Sequence, residues 1–254
     1  MSTQELIDTA KALVADGKGL LAMDESTPTC DKRFARLGIP QTEEARRAYR
    51  QLIVTTPGLG ESISGAILFD ETIRQKTDDG ISMIKVLTNA GIIPGIKVDT
   101  GAKDMAGHPG EKITEGLDGL RIRLKEYFEM GARYAALCQE AGLVPVVEPE
   151  VLMHGEHTLD RCREITEEVL RTVFNQLCTQ GVMLEGMILK PNMILPGLTC
   201  PMQETVDKVA VATVKCLMRA VPAAVPGIAF LSGGQSAEAH DGFQGGGPIG
   251  PPGC

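Results

Sequence analysis

The sequence predicts an α/β fold built on an all-parallel β-sheet, and three observations support this prediction. Short apolar runs bounded by glycine or proline alternate with longer stretches of helical periodicity. Nearly every apolar run stops at a charged or hydroxyl residue. The chain has 254 residues, 43% of them hydrophobic and 23% charged. That is enough for a full core and matches the length of about 250 residues that is typical of a single α/β barrel.

Six apolar runs have the length and composition of buried parallel strands. In chain order they are Gly19–Met23, Gly65–Phe69, Ile92–Val98, Leu143–Val147, Met183–Leu189 and Gly227–Leu231. Segments with helical periodicity lie between them: Gln4–Ala15, Glu43–Thr55, Ile81–Asn89, Gly116–Met130, Leu159–Gln180 and Gln203–Ala220. Thr42 is predicted to cap the helix that begins at Glu43.

The positions of the polar residues favour a barrel over a doubly wound sheet. In an α/β barrel the residues that follow the strands converge on one rim, where active sites lie. Such residues stand at or directly after the ends of the six runs: Asp24, Asp70, Glu71, Lys97, Asp99, Glu148, Glu150, Lys190 and Ser232. A doubly wound nucleotide-binding sheet would carry a glycine fingerprint after its first strand. The nearest match, Gly58–Ile63, lacks the third glycine and follows a helix, so the predicted fold is of the TIM (β/α)8-barrel type.

Composition restricts the expected partner and compartment. A net charge of −8, the absence of tryptophan and the lack of a basic cluster argue against nucleic acid. No window approaches the roughly 20 apolar residues of a membrane span, so we expect no membrane contact and a cytoplasmic location. The seven cysteines form no C-x-x-C pair and are expected to be reduced. A small molecule is the expected partner, and a few inward-pointing Lys and Arg side chains would suffice to bind an anionic one.

Lys190 is the most informative single residue. It follows the apolar run Met183–Leu189, and burial or a neighbouring cation such as Lys97 would favour the neutral amine that forms Schiff bases. Glu148 and Glu150 follow a neighbouring run, and since alternate strand residues share a face, one of them can shuttle the proton for carbinolamine dehydration. The alternative is that Lys190 is a surface lysine or simply an ion-pair partner of Glu148.

Three further features of the sequence are weaker indications: a third carboxylate for the site, a phosphate-binding segment and a pair of histidines that could bind a metal. Asp24 follows the first run, although Asp after a strand is also a common helix N-cap. The segment Ser232–Gly234 resembles a phosphate cradle after a strand, although a plain turn fits equally well. His154 and His157 have no third ligand nearby in the sequence, so no metal and no cofactor are predicted.

Seven longer segments carry a resemblance to a known family. They are LLAMDEST (20–27), RAYRQLIVTTPGLGESISGAILFDETI (47–73), GIIPGIKVD (91–99), EGLDGL (115–120), CQEAGLVPVVEPE (138–150), LEGMILKPNM (184–193) and VPGIAFLSGGQS (225–236). Together they resemble the class I, or Schiff-base, fructose-bisphosphate aldolases of glycolysis. The resemblance implies a (β/α)8 barrel, usually a homotetramer. It also implies a lyase that cleaves fructose 1,6-bisphosphate to dihydroxyacetone phosphate and glyceraldehyde 3-phosphate without a metal.

The resemblance also implies roles for individual residues. Lys190 matches the Schiff-base lysine, Glu148 the acid/base glutamate and Asp24 the aspartate near the cleaved bond. Lys97 matches a charged active-site lysine and Glu150 a supporting carboxylate. Phosphate contacts are expected of two groups: Ser232, Gly233 and the adjacent Gly234, and Thr29, Lys32 and Arg33, with Thr29 standing where serine is more usual.

Two departures from the family pattern predict an incomplete barrel with about six of the eight strands recognisable. The chain passes from Gly131–Arg133 into Tyr134–Ala141, which belongs to the end of a later helix, so the fourth strand with its lysine and arginine is missing. Residues 1–238 are expected to form the incomplete barrel. Residues 239–254, in which Gly and Pro fill 9 of the last 13 positions, are expected to be a disordered tail in place of the eighth strand and its arginine.

Three hypotheses about function stay open at this point. The first is an aldolase by descent that keeps its nucleophile, with turnover impaired by the missing lysine and two arginines. The second is a non-catalytic aldolase-like binding or assembly protein. The third is a truncated gene product without a stable fold. Unpaired strand edges and uncovered helix faces would carry a free-energy cost larger than the about 5–15 kcal/mol by which a domain is stabilised.

Overall fold

The structure is a computed structural model that describes residues 2–104, 106–107, 112–115 and 138–230. The chain forms two compact units, Met1–Pro145 and Val146–Cys254. Each unit contains parallel strand pairing, as predicted. Within the described ranges, no helix is long and apolar enough to cross a membrane.

The first unit is built on a three-stranded parallel sheet in the order β1-β2-β3. Its strands are β1 (Gly19–Met23), β2 (Ile63–Leu68) and β3 (Ile93–Ile96). Met23 lies opposite Leu68, and Leu68 lies opposite Ile96. Because the three strands are parallel and end in register, the residues that follow them lie along one edge of this sheet.

Several helices of the first unit begin where a side chain accepts a hydrogen bond from a free N–H group of the first turn. They are α1 (Thr3–Leu13), α2 (Thr27–Arg36), α3 (Glu43–Val54), α4 (Leu59–Ser62), α5 (Asp70–Arg74), α6 (Met83–Asn89) and α7 (Cys138–Ala141). Helix α1 starts at Thr3 because Ser2 and Glu5 form a capping box, in which the Glu5 carboxylate accepts from Ser2 N–H at 2.7 Å. Thr42 caps α3 as predicted, accepting from Ala45 N–H at 3.2 Å.

Strand β2 is almost entirely buried, and α1 packs directly on it. A side chain at Gly65 would place its Cβ 2.5 Å from Cδ2 of Leu13, so any larger residue would require the Leu13 side chain to move. The hydroxyl of the buried Ser64 donates to Leu13 O at 2.5 Å. The close approach of Leu13 to the middle strand fixes α1 against the sheet.

Several elements of the first unit differ from the predicted ones. Helices α2, α4 and α5 occupy segments that the sequence periodicity does not mark as helical. An antiparallel hairpin joins β4 (Gly101–Asp104) to β5 (Lys112–Glu115), which corrects the prediction of purely parallel pairing. The hairpin forms a separate two-stranded sheet, and Gly101 at its start adopts a φ of 98° that favours glycine. The predicted helix Gly116–Met130 lies outside the described residues.

The second unit pairs β6 (Val146–Val147) with β7 (Ile188–Leu189) in parallel. Ile228 adds a parallel bridge to Leu189, within the sixth predicted run. The predicted strand Met183–Leu189 is shorter than expected, because Leu184–Gly186 forms a 3-10 turn. Its last two residues still form the strand that leads into Lys190.

Helices α8 (Leu159–Thr179) and α9 (Val206–Ala220) enclose the core of the second unit. Helix α8 runs from its cap Thr158 almost as predicted and ends before Gly181, which has a φ of 70°. Helix α9 begins three residues later than predicted because Thr205 caps it. The buried cluster that these helices share with β7 comprises Cys162, Leu170, Phe174, Met187, Leu189, Ile194, Ala212, Cys216 and Leu217.

Candidate active site

Lys190 and Glu148 meet at the ends of two neighbouring parallel strands. Val147 pairs with Leu189 as the last residue of the ladder, and Lys190 N–H donates to Val147 O at 2.8 Å. The Lys190 Nζ atom lies 3.0 Å from Oε2 of Glu148. The Lys190 side chain is only 11% exposed, whereas that of Glu148 is 48% exposed. Of the alternatives for Lys190, the structure shows the ion pair with Glu148 and a lysine that is mostly buried, and the role of its amine as a nucleophile stays a prediction.

This ion pair lies in a cleft within the second unit. The cleft has an empty volume of about 490 Å³, part of it open to solvent. Its polar lining comprises Glu148, Glu150, His157, Lys190 and Asn192, and its apolar lining comprises Val151, Met153, Cys162, Pro191, Met193 and Leu195. An amine held beside a carboxylate in a partly apolar cleft can exchange a proton with it, which is what Schiff-base formation requires.

Asn192 also lines the cleft, and the sequence analysis does not single it out. Its Oδ1 accepts from Val151 N–H at 3.0 Å, and its Nδ2 donates to Thr166 Oγ1 at 3.1 Å. In the sequence, its position directly after Lys190-Pro191 is the feature that could have marked Asn192 as a residue of the cleft.

The two histidines have different surroundings. His154 is exposed, whereas His157 is half-buried and lines the cleft. Across the described part of the chain, no three His, Cys, Asp or Glu side chains are grouped so that they could hold a metal ion.

Asp24 and Lys97 follow β1 and β3 at one edge of the first sheet. Asp24 comes directly after Met23 and is half-buried. Lys97 N–H donates to Leu68 O at 2.9 Å, and its amine forms an ion pair with Asp99. Asp24 and Lys97 therefore lie at the same edge of the first unit's sheet, and their part in the site stays a prediction.

Two buried arginines of α3 bind acidic residues that follow β1, follow β2 or lie on α2. Arg50 donates to Oε2 of Glu25 at 2.6 Å. Arg46 makes two hydrogen bonds of 2.8 Å to Glu71 and one of 2.8 Å to Asp31. The sequence analysis misses this network, although the spacing of four residues places both arginines on one helix face.

Burial and charge act in opposite directions on Glu25. Burial raises the pKa of its carboxyl group, but the hydrogen bond from Arg50 and the charges of Arg50 and Arg33 outweigh this effect and hold the pKa below its ordinary value. Glu25 is therefore a carboxylate at neutral pH. It follows Asp24 directly, so its contacts fix the backbone at the predicted catalytic aspartate.

The predicted phosphate contacts in the first unit lie on or beside α2. Thr29 and Lys32 are exposed, and the hydroxyls of Thr29 and Ser26 lie 3.0 Å apart. Arg33 forms an ion pair with Glu25, so a phosphate at this position would compete with that carboxylate. Ser232, Gly233 and Gly234 lie outside the described residues.

The chain is similar to known aldolases over most of its length. The sequence profile of the family described as fructose-bisphosphate aldolase class-I matches residues 5–134 and 131–241. A probable fructose-bisphosphate aldolase class 1 of Xanthomonas campestris is 54% identical, with 94% of this chain and 80% of the relative covered. Fructose-bisphosphate aldolase 2 of Plasmodium berghei is 46% identical, with 92% and 72% covered.

The comparisons are consistent with an internal interruption. The aligned stretch of 267 positions with the Xanthomonas protein is longer than the 254 residues of this chain, so that relative carries residues with no counterpart here. The two matches of the family profile overlap at residues 131–134. That is the junction at which the sequence analysis predicts a missing segment.

A solved structure supports the same assignment. The fructose-bisphosphate aldolase of Plasmodium falciparum, solved with TRAP and a small-molecule inhibitor, superposes with a TM-score of 0.91 at 44% identity, covering 94% of this chain and 78% of that chain. The fold is therefore of the TIM-barrel type. The proteins named in these comparisons are aldolases, which are carbon–carbon lyases, and the family uses a phosphorylated sugar. On sequence and fold together, this chain belongs to the class I fructose-bisphosphate aldolase family.

Proposed function

We propose that Lys190 is the nucleophile of this chain and forms a Schiff base with a phosphorylated ketose. The observation that carries this proposal is the contact of 3.0 Å between Lys190 Nζ and Glu148 Oε2, at the ends of adjacent parallel strands in an open cleft. Lys190 is mostly buried and Glu148 is half exposed, so an entering carbonyl group reaches the amine from the open side.

Proton transfer within the ion pair prepares the amine for attack. Glu148 takes one proton from the Lys190 ammonium group, and the neutral amine adds to the C2 carbonyl of the ketose to give a carbinolamine. The protonated Glu148 then gives its proton to the carbinolamine hydroxyl, which leaves as water and forms the iminium. Glu148 ends as a carboxylate, so protons and charge balance over the cycle.

The other predicted residues are proposed to take the roles that the family resemblance implies. Asp24 accepts the proton of the C4 hydroxyl as the C3–C4 bond breaks, Glu150 supports Glu148, and Lys97 adds positive charge. Phosphate binding is assigned to two groups: Thr29, Lys32 and Arg33, and Ser232, Gly233 and Gly234. The segment that is predicted to be missing carries a lysine and an arginine of the family's site. We therefore expect this chain to form the Schiff base more readily than it completes cleavage of the sugar.

Three further proposals concern the whole molecule. We infer a homotetramer by family resemblance and keep the cytoplasmic location that the sequence predicts. Residues 1–238 are proposed to act as one aldolase-type unit, and the predicted tail at 239–254 lies outside the described residues. Analytical ultracentrifugation tests the first of these, since a sedimenting species of monomer mass would contradict it.

The intact mass of the reduced adduct tests the proposed function. The purified chain is incubated with dihydroxyacetone phosphate, reduced with borohydride and weighed by mass spectrometry, beside a sample reduced without ketose. We expect one added ketose per chain. A chain with a cooperative thermal transition but no added mass would contradict Schiff-base formation and favour the non-catalytic binding protein. A chain without a cooperative transition would favour the truncated product.

A further inference from the structure

Asn192 connects three segments of the second unit through its side-chain amide. Its Oδ1 accepts from Val151 N–H at 3.0 Å. Its Nδ2 donates to Thr166 Oγ1 at 3.1 Å and to Met193 O at 3.0 Å. An amide suits this position because it is neutral and offers an acceptor and two donors together.

Thr166 anchors this connection in the core. It is 2% exposed and lies on the buried face of α8. Leu170 and Phe174 follow on the same face and belong to the core cluster of the unit. Because a close-packed core allows little displacement, the Thr166 hydroxyl gives Asn192 a fixed reference point.

The segments that Asn192 connects carry the two proposed reacting groups. Val151 follows Glu148 by three residues, and Asn192 follows Lys190 by two. Since the Glu148 side chain is 48% exposed, packing around it does not fix its position, and its distance from Lys190 depends on the backbone segments behind both.

We propose that Asn192 is a positioning residue that holds the 148–151 segment against the 190–193 segment and thereby sets the separation of the Glu148 carboxylate and the Lys190 amine. This inference rests on the proposed Schiff-base function and adds a residue to it. Asn192 acts through Glu148 and Lys190, so its loss should slow the chemical step more than it weakens ketose binding.

Three threonine variants separate positioning from general stability. Thr166→Val removes the hydroxyl that accepts from Asn192, and Thr166→Ser keeps it. Thr77→Val is the matched control, because Thr77 is also buried, at 8% exposure, and its described side-chain hydrogen bonds go to Ile81 in the first unit. If Thr166→Val does not fold, Asn192→Ala tests the same contact from the cleft side.

The rate of borohydride trapping is measured for each variant over a range of dihydroxyacetone phosphate concentrations. We expect Thr166→Val to lower the limiting rate about tenfold with little change in the half-saturating concentration. Thr166→Ser should recover most of the rate, and Thr77→Val should keep the wild-type rate. The positioning role would be overturned if Thr166→Val left the limiting rate unchanged, or if Thr166→Val and Thr77→Val lowered it equally.

Amide hydrogen exchange tests the contact separately from the chemistry. We expect the Val151 amide to exchange at least about tenfold faster in Asn192→Ala than in the wild-type chain, because its acceptor is removed. Equal exchange in both chains would overturn the inference even if the adduct forms. Faster exchange in the variant, together with a wild-type chain that forms no adduct, would support the connection by Asn192 and overturn the proposed function.

Discussion

Glu148 and Lys190 each follow the last paired residue of two neighbouring parallel strands, and their charged groups lie 3.0 Å apart. We expect Glu148→Gln to slow borohydride trapping of dihydroxyacetone phosphate by about 100-fold, because an amide can neither take the lysine proton nor return it to the carbinolamine. The measurement is the rate of mass increase at saturating ketose.

Glu156→Gln is the control for this substitution, since Glu156 is an exposed residue of the loop before α8. It should trap ketose at the wild-type rate. A Glu148→Gln chain that also does so would show that another group shuttles the proton.

Arg50 is buried on α3 and donates to Glu25 at 2.6 Å. We expect Arg50→Met to lower the free energy of unfolding by about 3 kcal/mol, because the substitution leaves a partly buried carboxylate without its main partner. Urea denaturation followed by circular dichroism measures this loss. Arg47→Met on the same helix is the control, and its loss should be much smaller because the partners of Arg47 are exposed.

The lowered pKa of Glu25 also predicts how the free energy of unfolding depends on pH. Its pKa is lower in the folded chain than in the unfolded chain, so it contributes stability above its unfolded value of roughly 4.3. That contribution is lost as the pH falls through the folded value. We expect Glu25→Gln to be less stable than the wild-type chain at pH 7, with the difference shrinking below pH ~4. A difference that stays constant from pH 7 to pH 3 would contradict the lowered pKa.

Cys216 and Cys178 should differ strongly in their reactivity towards iodoacetamide. Burial, together with the nearby Glu167, raises the pKa of the Cys216 thiol to about 11, whereas Cys178 is exposed on α8. We expect Cys178 to be alkylated at least about tenfold faster at pH 7.5, because the thiolate is the reacting form. Peptide mass spectrometry measures both rates, and the difference should disappear in urea.

The strands were predictable because burial on both faces leaves continuous apolar runs. Each of the six predicted runs contains at least one residue that pairs with a parallel neighbour. Lys190 and Glu148 follow two of these runs, as expected. Helix α8 was predictable for a similar reason, since Cys162, Thr166, Leu170 and Phe174 repeat every four residues on its buried face.

The missed features depend on contacts between residues far apart in the chain. Helix α2 buries only Cys30 and Phe34, which is too few positions for a periodic signal. Asn192 gains its role from Val151 and Thr166, which lie 41 and 26 residues away. The contact of Arg50 with Glu25 spans 25 residues. Composition and periodicity report local patterns, so they do not reveal such pairings.

The position of the reduced adduct tests the central claim most directly. The wild-type chain and Lys190→Arg are trapped with dihydroxyacetone phosphate and borohydride, digested and mapped by mass spectrometry. Arginine keeps the positive charge beside Glu148 but does not form a Schiff base. We predict modification of the peptide that contains Lys190 in the wild-type chain and no adduct in Lys190→Arg. An adduct on a different lysine, or an adduct that persists in Lys190→Arg, would contradict the assignment of Lys190 as the nucleophile.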